Sequence, residues 1–139
     1  VAESIFIHFA TATWDDLAPW LDQRAVRSGD RLWHYPASDY TLLLYEYPDL
    51  QAEHEPEDLE RLRARLGRLP SLSLCLELRR SRGDQACDAA AALAADLLRA
   101  FPGLADDDTG GGEYWSLADL EADVQGAGGR FLDCYRVSQ

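Results

Sequence analysis

Along residues 72–79, Leu72, Leu74, Leu76 and Leu78 alternate with Ser73, Cys75, Glu77 and Arg79. This period-2 pattern predicts a strand with one buried face. After Ser81-Arg82-Gly83, Asp84 is placed to cap a helix by accepting from the free amides of its first turn. Ala86, Ala90, Leu93, Leu97 and Phe101 then fall on one helical stripe, and Pro102-Gly103 ends it. The many alanines let this helix sit close to the leucine face of the strand. The unit over 70–103 is the one around which the remaining elements are arranged.

Residues 4–10 read as a first strand. Ile5, Ile7 and Phe9 alternate with Phe6 and His8, so both faces are fairly apolar and the strand belongs inside a sheet. His8 points away from Ile5 and Ile7, and no acid or nucleophile lies beside it in sequence; a structural, hydrogen-bonded histidine is expected. Thr13-Trp14-Asp15-Asp16 is a hydroxyl cap followed by acids at the positive end of a helix dipole. It predicts a helix over 13–25, kinked or delayed by Pro19, with Ser28-Gly29-Asp30 as a break. Residues 31–35 and 39–47 flank Pro36-Ala37-Ser38 and predict a hairpin. It carries Trp33, His34, Tyr35, Tyr40, Tyr45 and Tyr47, the aromatic centre of the chain. A short helix follows from Glu55-Pro56, with Leu59, Leu62 and Leu66 as its apolar stripe and Gly67 at its end. Ser116 to Asp119 start a further helix, and 130–137 suit a last, partly buried strand. These elements predict one α+β domain over 1–139: a mainly antiparallel sheet with the 13–25 and 84–101 helices packed on it. Their order is compatible with an elaborated ferredoxin-like arrangement.

Composition narrows the function. The 139 residues hold 25 acids against 13 arginines and no lysine, for a net charge of −12. Phosphate backbones are repelled by such a chain, so nucleic acid is disfavoured and a basic partner or cationic surface is favoured. No apolar run approaches the ~20 residues that span a bilayer, and the first ten residues lack a secretory signal pattern. Cys75, Cys87 and Cys134 are odd in number and widely spaced, which suits buried thiols in a reducing compartment. The expected location is the cytoplasm.

The charge is also segregated. Residues 32–60 hold eight acids and no arginine, whereas 61–82 hold seven arginines and one acid. A second acidic stretch, Asp106-Asp107-Asp108, precedes three glycines, Glu113 and the aromatic pair Tyr114-Trp115. The aspartates do not fit the alternate-position register of a calcium loop. The glycines lack the lysine and hydroxyl of a phosphate loop. Neither the three histidines (His8, His34, His54) nor the cysteines approach zinc-ligand spacing. Adjacent carboxylates such as Asp15-Asp16 are too common in an acidic chain to mark acid–base catalysis. No metal, cofactor or catalytic residue is assigned, and an enzyme is not expected.

An acidic single domain with an alanine-rich helix followed by FPGLADDDTGGGEYWSLADLE resembles the immunity proteins encoded beside bacterial polymorphic toxins. The resemblance spans about residues 42–121 and implies tight binding to a cognate toxin domain, with its active site or substrate access blocked. It carries no residue-specific roles. From charge, the expected partner-binding residues are Asp106, Asp107, Asp108 and Glu113 as a rim around Tyr114 and Trp115, with Glu53, Glu55 and Glu57 as a second surface. The competing readings are a core role for Trp115 with solubilising acids, an interaction or scaffold domain of another complex, and a small enzyme or ligand-binding domain using the aromatic hairpin as a pocket.

Overall fold

The alternating leucines of 72–79 become an inner strand of an antiparallel sheet. The computed structural model describes residues 3–36, 41–47, 55–79, 84–107 and 114–122. Within them the order is β1 (Glu3–Phe9), α1 (Trp14–Asp22), β2 (Val26–Gly29), β3 (Leu32–Pro36), β4 (Thr41–Glu46), α2 (Pro56–Leu66), β5 (Leu72–Arg79), α3 (Asp84–Ala100), β6 (Gly103–Asp106) and α4 (Leu117–Ala122). The sheet order is β2-β3-β4-β5-β1-β6, every neighbouring pair antiparallel. Strands β1 and β4 both run against β5 and are therefore parallel to each other, joined through α1 with β5 between them. Strands β5 and β6 are related in the same way through α3, with β1 between. Two interleaved split βαβ units make the ferredoxin-like core, which the β2–β3 hairpin and α2 elaborate.

Register fixes the two faces. Ile5, Ile7 and Phe9 oppose Leu76, Leu74 and Leu72, and Leu44 opposes Leu76 from the other side. These side chains pack with Leu17 and Leu21 of α1, Ala86, Ala90, Leu93 and Leu97 of α3, and Leu120 of α4 in one large core. The far face carries Ser73, Cys75 and Glu77 beside His8, Phe6 and Ser4. There α2 packs at the β6 end, where Leu62 meets Leu104 and Tyr114.

Local chemistry explains most helix ends. Thr13 caps α1 in a reciprocal capping box with Asp16. The helix starts at once rather than late, keeps the exposed Pro19 inside, and stops at Asp22, short of the expected 25. Pro56 opens α2, and Gly67 closes it at φ 90°. Two strands depart from the sequence expectation. Residues 26–29 pair with β3 as β2, so the break falls at Asp30-Arg31, where Arg31 takes φ 55°. Residues 103–106, for which the sequence predicts no strand, form β6 on the edge of β1. The expected strand at 130–137, together with His54 and Cys134, lies outside the described residues. Cys75 and Cys87 are buried and form no disulfide among the described residues, and burial raises the Cys75 thiol above its ordinary value.

A paired aromatic–ionic cluster ties α1 to the hairpin. Trp14 and Trp33 stack, with centroids 5.8 Å apart and planes inclined by 11°. The Trp33 indole donates to Asp22 (2.8 Å), which Arg27 grips with two 3.0 Å bonds while its guanidinium lies 4.9 Å from the Trp33 centroid. The Trp14 indole donates to Glu46 (2.9 Å), which Arg31 also reaches at 3.0 Å, with its guanidinium 5.1 Å from the Trp14 centroid. The Trp33 N–H, seconded by Arg27 and opposed by partial desolvation, holds Asp22 below the ordinary aspartate value. A carboxyl depressed in this way stabilises the fold above its unfolded value, and the contribution fades as pH falls through the folded value. Asp22→Asn is therefore expected to lower the melting temperature at neutral pH. Melts between about pH 7 and about pH 3 check this: the gap to wild type narrows towards the acid end.

Candidate protein-binding surface

Helix α2 brings the two acidic stretches together. Asp58 lies one turn before Leu62, so it shares the face that packs on Leu104 and Tyr114. The Tyr114 hydroxyl donates to the Asp58 carbonyl at 3.4 Å, and Arg65 reaches the Tyr114 carbonyl at 3.4 Å. Asp106, at the end of β6, borders the same tyrosine. Burial first, then the Asp106 and Asp58 charges, raise the Tyr114 phenol above its ordinary value, with Arg61 opposing. Asp58 of α2 and Asp106 of β6 thus both border Tyr114, and Glu55 and Glu57 add charge at the start of the same helix.

The cations of α2 do not neutralise all of this charge. Asp58 pairs with Arg61 and Glu60 with Arg63, each within the helix. Glu55 and Glu57 are exposed and form no ion pair among the described residues. They sit at the positive end of the α2 dipole, which favours them there.

The aromatic pair takes a different place from the expected one. Tyr114 and Trp115 are each only 2% exposed. Trp115 N–H and C=O bond the backbone of Ala105 at 2.7 and 2.8 Å, closing part of the outer edge of β6. Its side chain belongs to the main core and that of Tyr114 to the α2 cluster. They are corrected from surface anchors to internal supports of the acidic surface. Asp107 is 1% exposed and so is no part of a rim. Asp108, Glu113 and Glu53 lie outside the described residues. Asp58 was absent from the expected site, though its i, i+4 spacing to Leu62 is readable in the sequence.

Other clusters bear on chemistry. His8 Nδ1 lies 2.7 Å from Ser73 Oγ, the spacing of an activated nucleophile. Both residues are buried, at 0% and 5% exposure. On the far face Tyr45 donates to Glu77 at 3.0 Å, and burial, followed by bonding to Cys75, raises its phenol well above the ordinary value. Among the described residues no three His, Cys, Asp or Glu side chains are grouped to hold a metal ion, and no helix is long and apolar enough to cross a membrane.

Fold and surface together define an acidic α+β domain with a ferredoxin-like core. No family model, curated protein or solved structure matches the chain.

Proposed function

We propose that this protein is an inhibitor of the immunity type, which captures a basic toxin domain in the cytoplasm and occludes its active site. The observation that carries this reading is the meeting of two acidic stretches, distant in sequence, across Tyr114. An acidic surface of this kind accelerates encounter with a basic partner through long-range attraction, while close packing at the interface slows dissociation. The buried Tyr114 and Trp115 hold α2 and β6 in fixed relation, so the charges are presented with little reorganisation.

A triple variant, Glu55→Gln, Glu57→Gln and Asp106→Asn, tests the reading. Asp107 stays unchanged because it is buried. The tagged protein is recovered from its native host, and its partner is identified by mass spectrometry. A basic protein encoded beside it is expected. The folded variant is expected to associate with that partner about ten- to a hundredfold more slowly at low salt, with a shallower salt dependence. A folded variant with unchanged association rate and salt slope would refute the role of this surface. A partner from an unrelated locus would instead favour a scaffold domain of another complex.

A further inference from the structure

A cleft of about 280 Å³ opens at the end of the sheet, between the first residue of α1, the end of β4 and the start of β5. Trp14, Glu46, Tyr47, Ser71 and Leu72 are among its walls, and among the described residues no arginine lines it. Its volume lies just under the ~300 Å³ at which small-molecule sites begin, so it suits a single side chain better than a cofactor. We infer that this cleft receives an arginine side chain of a basic protein partner, with Glu46 as the anion that holds it.

The carboxylate of Glu46 is used on one side only. Trp14 Nε1 and Arg31 Nη1 both donate to Oε2, at 2.9 and 3.0 Å. Oε1 has no donor among the described residues, although a carboxylate offers about four acceptor positions. The chain already shows what chemistry the site accepts, since the Arg31 guanidinium lies over Trp14 while bonded to Glu46. A second guanidinium entering from the cleft meets the vacant oxygen and the aromatic walls. Its planar fork stacks and forms directed bonds, which an ammonium does not match. The site is also built in advance: Trp14 is stacked on Trp33, and its N–H is bonded to the Glu46 carboxylate.

A line of contacts leads from the cleft toward Asp106. Tyr47 packs edge-on against Phe6 at 4.8 Å, and Phe6 stands opposite Asp106 in the β1–β6 pairing. A basic segment lying along this track engages the cleft and the acids together. The inference thus rests on the proposed inhibitor function and names the side chain that such a partner inserts.

The test uses N-acetyl-arginine amide as probe and the Trp14 indole N–H resonance of the full chain as readout. A saturable shift is expected with arginine, a weaker response with N-acetyl-lysine amide, and none with the neutral citrulline analogue. Glu46→Gln retains an acceptor for Trp14 but drops the charge, and is expected to weaken arginine binding about tenfold. Arg31→Ala removes the internal guanidinium and is expected to bind the probe more tightly than wild type. The inference is overturned by the absence of a saturable shift in both wild type and Arg31→Ala, or by equal binding of citrulline. Unchanged affinity in a folded Glu46→Gln overturns it as well. Because the probe needs no partner, arginine binding without toxin capture fails the inhibitor function alone. Capture by a protein that ignores arginine fails the cleft alone.

Discussion

Leu93→Asp is expected to abolish the cooperative unfolding transition at room temperature and above. Leu93 lies in the middle of α3, 6% exposed, among the leucines of β5 and the alanines of its own helix. Its burial is worth about 1.5–3 kcal/mol, all lost in the variant. The new carboxylate has no cation in that core, and an unpaired buried charge costs several kcal/mol more or forces the group to protonate. The sum approaches the whole stability of a domain this size, about 5–15 kcal/mol. Ala92→Asp is the control, being one residue away but exposed. It alters helix propensity by only about 0.7 kcal/mol and is expected to keep a sharp transition. Circular dichroism melts of the two variants make the comparison. A Leu93→Asp protein that melts like wild type would remove α3 from the core and with it the described fold.

The parts of the fold that were legible share one property: enough residues to display a period. Strand β5 shows eight residues of alternation and α3 seventeen residues of stripe, and β1 reads as an inner strand from its two apolar faces. Strands β2 and β6 have four residues each, VRSG and GLAD, too few for alternation to stand out. They are strands because β3 and β1 offer them unpaired backbone, a tertiary cause that no local pattern carries. The same division applies to the site. The acids of 55–58 and 106 were visible as charges, but their meeting depends on α2 crossing to the far face of the sheet and packing Leu62 against Tyr114. The aromatic pair illustrates the converse. Tyr114-Trp115 beside acids suits an exposed anchor equally well in sequence, and only the backbone bridge from Trp115 to Ala105 decides for the interior. Glu46 was readable as a possible core-face residue of its strand. Its partners, Trp14 and Arg31, come from 32 and 15 residues away.

Gly103→Ala is expected to be the most damaging one-methyl change in the β1–β6 region, and to act on the surface as well as on stability. A Cβ at Gly103 would stand 2.3 Å from the His8 carbonyl oxygen and 3.2 Å from both the His8 carbonyl carbon and Leu98 Cδ2. The leucine methyl can turn aside, but the carbonyl belongs to the β1 backbone and cannot. Strand β6 must therefore move off β1. Overpacking of this kind costs about 1–3 kcal/mol or more, against only about 0.4–1 kcal/mol recovered from the lower entropy of the unfolded alanine chain. The clash wins, and a melting temperature lower by roughly 5–10 °C is expected. Gly67→Ala provides the contrast: its φ of 90° disfavours a side chain, but nothing lies within 4 Å. That variant loses about 1 kcal/mol through strain alone and leaves the sheet in place. Displacement of β6 also carries Asp106 and the Ala105–Trp115 bridge with it, separating the two acidic stretches that Tyr114 joins. Partner association is thus expected to slow in Gly103→Ala and to stay unchanged in Gly67→Ala, both measured well below their melting temperatures. If instead Gly103→Ala melts with or above Gly67→Ala, β6 does not lie as close to β1 as described, and the joined acidic surface loses its frame.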